Sequence, residues 1–299
     1  MSIQSWLNNN TDTLKGKTVA ITGSTGGLGV EICKYLAALG ADLLLLDRNH
    51  VRSLEHRRSL TAAFQGISVE CIPVDLEDEI SVFAATEKLK NMKIDVFIHN
   101  AGAYSIPRRK CKSGYDNVFQ INFVSPYYMV RALLPQLALA GGRVVVVGSI
   151  AHNYSKIDVK DVDFSQRKAS SKVYGNAKRY LMFSLYELFR KELGAKLSVT
   201  HPGITFTNIT AHYSKVIFAI IKHPMKVIFM SPRRAALCIV KGLFDSCDHG
   251  EWIGPRLFDV WGMPQKRKIS TCKADEARVI GEISERIYGE MCALALKEY

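Results

Sequence analysis

The sequence predicts a doubly wound α/β domain built on a parallel sheet. Two observations lead there. Short apolar runs alternate with helical patterns as far as His201, and a glycine cluster stands between the first run and the first helix. Strands alternating with helices of this length need a sheet covered on both faces.

The runs are Thr18 to Thr22, Asp42 to Leu46, Val69 to Val74, Ile94 to His99, Arg143 to Gly148 and Lys196 to His201. Helical patterns lie between them: Gly29 to Leu39, a polar helix reaching Phe64, and helices over 79–91, 115–139 and 172–193. After His201 the pattern loosens into a mixed apolar and basic stretch, a helix near 232–246, a short strand at Trp252-Ile253 and a final helix near 274–296. About seven strands result, in one domain. Residues 1–15 read as an N-terminal segment and 16–265 as the domain, with 204–230 as a lid. Residues 266–299 read as a C-terminal helical extension.

The chain has 299 residues, 47% hydrophobic and 23% charged, which excludes a disordered or fibrous protein. The net charge of +12 is dispersed, with small clusters at Arg108-Arg109-Lys110, Arg233-Arg234 and Lys266-Arg267-Lys268. Solvated basic surface is the plain reading, and attraction to acidic membrane surfaces or anionic ligands is the sharper one. No recognition motif accompanies the charge, so nucleic acid is not an expected partner. The seven cysteines are scattered without a CxxC pair, as free thiols in a reducing, cytoplasmic setting would be, and imply no metal site. Met1 to Lys17 lacks the apolar core of a signal peptide, and Val216 to Met230 is interrupted by lysines and too short to span a bilayer.

The first βα turn reads Thr22-Gly23-Ser24-Thr25-Gly26-Gly27-Leu28-Gly29. Glycines there let the backbone approach a pyrophosphate at the positive end of a helix. Asp47 ends the second strand, where a carboxylate can accept bonds from an adenosine ribose and repel a 2′-phosphate. This favours NAD over NADP. Arg48 beside it points the other way, toward neutralising that phosphate, or it pairs with Asp47 or caps the loop.

Tyr174 and Lys178 stand four residues apart on a predicted helix, so the ammonium lies beside the phenol. A cation there favours phenolate and lowers the phenol pKa, fitting Tyr174 for general acid/base work. Ser149 ends the fifth strand at the carboxyl edge of the sheet, where ligands bind. Asn122 falls mid-helix, where Asn is mildly unfavourable.

The TGxxxGxG loop, Asn122, Ser149 and the YxxxK pair occur in an order that resembles the short-chain dehydrogenase/reductase family. The polar insert between Ser149 and Tyr174, His201-Pro202-Gly203 and the segment Trp261-Gly262-Met263-Pro264 look like its retinol-dehydrogenase-like branch. The resemblance implies a Rossmann-type fold and reversible hydride transfer between NAD or NADP and a lipophilic alcohol or carbonyl, such as a steroid or retinoid. It further implies adenine contacts from Asp75 and Leu76, and a sheet-steadying element at Asn100-Ala101-Gly102. Ser149 would orient the substrate oxygen, and Asn122 would anchor a water behind Lys178. Nicotinamide contacts would come from Pro202, Gly203, Ile204 and Thr207. His99 replaces the first Asn of the family's NNAG element and reads as a hydrogen-bonded strand-end histidine.

The family also pairs helices such as 172–193 across a homodimer or homotetramer. The apolar lid leaves three options: core packing, a face toward the substrate, or peripheral membrane contact. The rival function is a catalytically silent dinucleotide-binding regulator or scaffold, against which the complete set of four polar groups argues.

Overall fold

The computed structural model describes residues 2–192, 194–204 and 230–298. Among them eight strands form one sheet: β1 (Thr18–Thr22), β2 (Asp42–Asp47), β3 (Val69–Pro73), β4 (Val96–His99), β5 (Arg143–Val147), β6 (Lys196–Thr200), β7 (Glu251–Leu257) and β8 (Trp261–Lys268). Their order is β3-β2-β1-β4-β5-β6-β7-β8, and every pairing is parallel except β7 with β8. Chain order reverses between β1 and β4. That creates a crevice over the carboxyl ends of the two strands, where doubly wound sheets bind ligands.

The sheet is one strand larger than the sequence predicts. Glycine and proline in both segments hide the β7–β8 hairpin, since each residue normally weakens a strand reading. Here Pro255 stands opposite Pro264 in an antiparallel pair at the sheet edge. The turn also lacks a glycine signal: Phe258 and Asp259 both take positive φ, 52° and 56°. Position 265, expected to end the domain, falls inside β8.

Helices α1 (Ile3–Asn10), α2 (Gly27–Ala38) and α8 (Pro232–Phe244) share one core layer with buried residues of the strands, including Ile21, Leu45 and Val145. The N-terminal segment is therefore partly helical, and its Trp6 is buried there. Helix α3 (His50–Ala63) runs between β2 and β3 and contributes Leu60 to the same layer. The opposite face carries α4 (Glu79–Lys90), α5 (Asn117–Phe119), a π-helical turn (Gln120–Val124), α6 (Ser125–Leu139), α7 (Ser170–Arg190) and α9 (Ala274–Glu298).

Helix α9 changes the expected surface. It packs along α7, α6 and α4, burying Ala277, Ile280, Ile287 and Met291 in the main core. Glu276 bonds Arg179 at 2.5 and 2.7 Å, while Glu285 and Glu290 accept from Tyr127 and Tyr115, each at 2.6 Å. The apolar stripe of α7, expected to meet a second subunit, thus lies in a layer that the chain's own last helix joins. Among the described residues, no helix is long and apolar enough to cross a membrane.

Candidate active site

The glycine turn is shaped by close approach. Gly23 has φ +70°, and a Cβ on Gly29 would sit 2.1 Å from the Gly23 carbonyl oxygen. Gly26 caps α2 without a side-chain bond, so the helix opens with backbone N–H groups uncapped. This is the donor set an anion needs, and the residues present fit a dinucleotide pyrophosphate.

Thr22, at the end of β1, ties the loop to β4. Its hydroxyl accepts from the backbone N–H of Asn100 and of Ala101, each at 3.1 Å, and lies 3.0 Å from His99 Nδ1. A hydroxyl accepting two N–H groups gives its own proton to Nδ1, leaving the hydrogen of His99 on Nε2. Burial holds His99 well below the usual histidine range, hence neutral. The Asn100 side chain donates to the Thr22 and Gly23 carbonyls at 3.2 and 2.9 Å. Asn100 thus ties the glycine turn to the end of β4, and His99 is hydrogen-bonded through Nδ1.

Asp47 does not face outward as the sequence suggests. Its Oδ2 accepts from Ser24 Oγ at 2.5 Å and Ser53 Oγ at 2.9 Å, and its Oδ1 accepts from Thr25 N and Oγ1, each at 3.1 Å. Four donors use the carboxylate's acceptor capacity, and Asp47 is buried. Among the described residues Arg48 forms no ion pair and is exposed, so the expected pairing with Asp47 is not made. Asp75 Oδ1 accepts from Glu77 N at 3.0 Å, and Leu76 is buried, its carbonyl accepting from Ser125.

The four polar groups converge beyond β4 and β5. Asn122 lies in the π-helical turn, an insertion that often marks a functional site. Its Nδ2 donates to the Ala103 and Val118 carbonyls at 2.8 Å, and its Oδ1 accepts from Ala103 N at 3.3 Å. A Cβ on Gly102 would sit 2.8 Å from Asn122 Oδ1 and 3.5 Å from Lys178 Nζ, so only glycine fits between them. Lys178 is buried, donates to the Val147 carbonyl at 2.9 Å and lies 5.7 Å from the Tyr174 ring centre. Gly175 is required by the same helix packing, since a Cβ there would come 2.2 Å from the Ala151 carbonyl oxygen.

The electrostatics differ from the sequence expectation. Burial pushes the Tyr174 phenol up to about 12, against a smaller lowering from Ser149, and pushes Lys178 down to about 8. Desolvation is the largest influence on both groups, and at Tyr174 it outweighs the Ser149 hydrogen bond, which keeps the phenol protonated at neutral pH.

Three neighbours had no role in the sequence reading. The Tyr104 ring meets the Tyr174 ring edge-on at 5.4 Å. His152 braces the Ser149 turn, its Nδ1 2.7 Å from the Ser149 carbonyl and its Nε2 2.9 Å from Thr271 Oγ1. Arg179 donates to the His152 carbonyl at 2.9 Å while pairing with Glu276. The last two depend on residues about a hundred positions away, which no local spacing reveals. Tyr104, two residues after Gly102, was the one within reach of motif reasoning.

Gly203 has φ +78°, and a Cβ there would meet the Val260 carbonyl at 2.6 Å. Pro202 precedes it, and the Ile204 carbonyl accepts from Met230 N at 3.0 Å. Thr207 and the apolar part of the expected lid, residues 205–229, lie outside the described residues.

A glycine cradle at a topological switch point and an Asn–Ser–Tyr–Lys cluster beside it define a dinucleotide-binding α/β protein. The short-chain dehydrogenase family model matches residues 17–215, and the chain belongs to that family. It is similar to human WW domain-containing oxidoreductase, at 32% identity over 65% of this chain and 50% of that one. It is also similar to mouse retinol dehydrogenase 12, at 29% identity over 66% and 64%. Human polyprenol dehydrogenase matches at 26% identity over 79% and 70%. The chain thus spans between half and about two thirds of the length of these relatives. Among solved structures, an uncharacterized protein from Mycobacterium Paratuberculosis shares the fold at TM-score 0.76 and 24% identity, covering 94% of this chain and 96% of that one. A short-chain dehydrogenase from Sphingobium yanoikuyae in complex with NADPH aligns at TM-score 0.54 and 25% identity, over 65% and 74%.

Proposed function

We propose that the chain is a nicotinamide-dependent oxidoreductase that interconverts a lipophilic alcohol and its carbonyl. The observation that carries this reading is the convergence of Asn122 and Lys178 on Gly102, with Tyr174 and Ser149 alongside. A dinucleotide held by the glycine turn would supply or accept the hydride. Tyr174, held as a phenol near 12, donates its proton to a carbonyl oxygen during reduction and accepts the hydroxyl proton in the reverse direction. Ser149 orients that oxygen by hydrogen bonding. Lys178, fixed by Val147, supplies positive charge below the phenol, and Asn122 supports the proton path behind it. Relatives named for retinol and polyprenol support an apolar substrate.

We infer a preference for the phosphorylated cofactor over the NAD that Asp47 suggests in the sequence. With Asp47 saturated by the loop, no acceptor remains there for the ribose, and exposed Arg48 is available to a 2′-phosphate. Arg48→Ala should weaken NADPH binding about tenfold in a fluorescence titration and leave NADH nearly unchanged. Equal loss for both would overturn this preference.

The test of the reaction is Tyr174→Phe. Turnover over a panel of retinoid, steroid and polyprenol substrates should fall by about 10²- to 10⁴-fold with cofactor binding intact. Near-native turnover in that variant would overturn the assignment.

A further inference from the structure

The tip of the β7–β8 hairpin places three large apolar side chains in solvent: Phe258 is 91% exposed, Leu257 49% and Trp261 40%. Burying such groups is the normal outcome of folding, and three adjacent on one turn form a patch rather than scattered exposure. The backbone holds them outward. Phe258 has φ 52°, a left-handed conformation rare for a bulky residue and suggestive of function.

Cations rim the patch. The Arg234 guanidinium lies 5.2 Å over the Trp261 ring, exposed Arg233 is its chain neighbour, and exposed Arg256 directly precedes Leu257. The turn's own carboxylate, Asp259, is paired with Arg267 at 3.7 Å. The hairpin also borders the candidate active site, because the Val260 carbonyl packs against Gly203.

We propose that this hairpin docks the protein on an anionic phospholipid bilayer, with Leu257, Phe258 and Trp261 entering the interface and the arginines meeting lipid phosphates. Aromatic side chains beside arginines suit that boundary, where one end is apolar and the other wet. A second copy of the chain is a poorer occupant, since it would bring the same cations into opposition. Docking there puts the mouth of the site at the source of an apolar substrate. The proposal deepens the lipophilic-substrate reading, but its test measures binding alone, so the two can fail separately.

The test is flotation of the full chain with phosphatidylcholine vesicles, with and without phosphatidylserine. Binding is expected to the anionic vesicles and to weaken with salt, with Trp261 emission quenched by brominated lipid. The double variant Leu257→Ser/Phe258→Ser should bind at least about tenfold more weakly. Arg233→Glu/Arg256→Glu should lose at least about tenfold on anionic vesicles alone. Unchanged dinucleotide binding shows that each variant is folded. No flotation of the wild-type chain, full binding by both variants, or a sedimenting dimer that Leu257→Ser/Phe258→Ser dissolves would each overturn the proposal.

Discussion

Helix α7 buries two cations one residue apart and treats them in opposite ways. Lys178 faces the crevice, receives only the Val147 carbonyl, and is pushed down to about 8 by desolvation. Arg179 faces the C-terminal region, where Glu276 gives it a carboxylate and Thr271 and His152 give it carbonyls. A buried charge without a counter-ion is costly, so it survives where a ligand can use it. The paired charge holds structure. One helix therefore separates a face kept electrostatically incomplete from a face completed by α9.

Deleting Ala274–Glu298 should break the completed face most severely. Ile280, Ile287 and Met291 are each about 1% exposed or less. Their burial contributes roughly 5–9 kcal/mol, comparable with the whole stability of a typical domain. The truncated chain should lose its cooperative thermal transition in circular dichroism. A native-like melt would reduce α9 to an appendage and dissolve the contrast.

Glu276→Ala isolates the ion pair. Arg179 would remain buried without its carboxylate, at a cost of about 3 kcal/mol in denaturant titration. Glu87→Ala is the control, since the Lys90–Glu87 pair is more exposed, at 39% and 52%, and should cost about 1 kcal/mol or less. Equal costs would mean that burial does not distinguish the two.

The bracing histidine predicts a smaller, pH-dependent effect. Burial pushes His152 down to about 4 and His201 to about 3, so both stay neutral in the fold. The unfolded chain takes up these protons near pH 6.5. Stability is therefore complete above that pH and falls on acidification toward the folded values, by roughly 1.4 kcal/mol per pH unit for each histidine. His152→Gln should remove one histidine's share of the slope between about pH 4 and 6.5. An unchanged slope would assign the acid sensitivity elsewhere.

The two faces were unequally legible in the sequence. Tyr174, Lys178, the glycine turn and Asn100 announce themselves because a helix or turn brings residues a few positions apart together. Glu276 and Thr271 meet α7 only through tertiary packing, so the same helix read as a subunit interface. Asp47 shows a subtler limit. Its position at the end of β2 was legible, but its direction depends on Ser53, whose hydroxyl turns it inward from the next helix. The start of β7 was legible at Trp252-Ile253, but β8 was hidden because paired prolines and a glycine-free turn carry no local strand signal.

The gentlest probe of the completed face is its glycines. Gly289 lies in the interior of α9, is exposed, and has open space where a Cβ would go. Gly281 lies eight positions earlier against α7, where a Cβ would meet Glu187 Cβ at 3.1 Å. An interior helical glycine costs about 0.8–1.0 kcal/mol relative to alanine. Gly289→Ala should recover that amount and raise Tm by about 2 °C. Gly281→Ala should recover less, because Glu187 must shift to admit the methyl group. If the gains were equal, α9 would not be pressed against α7 as tightly as the Arg179–Glu276 pair requires.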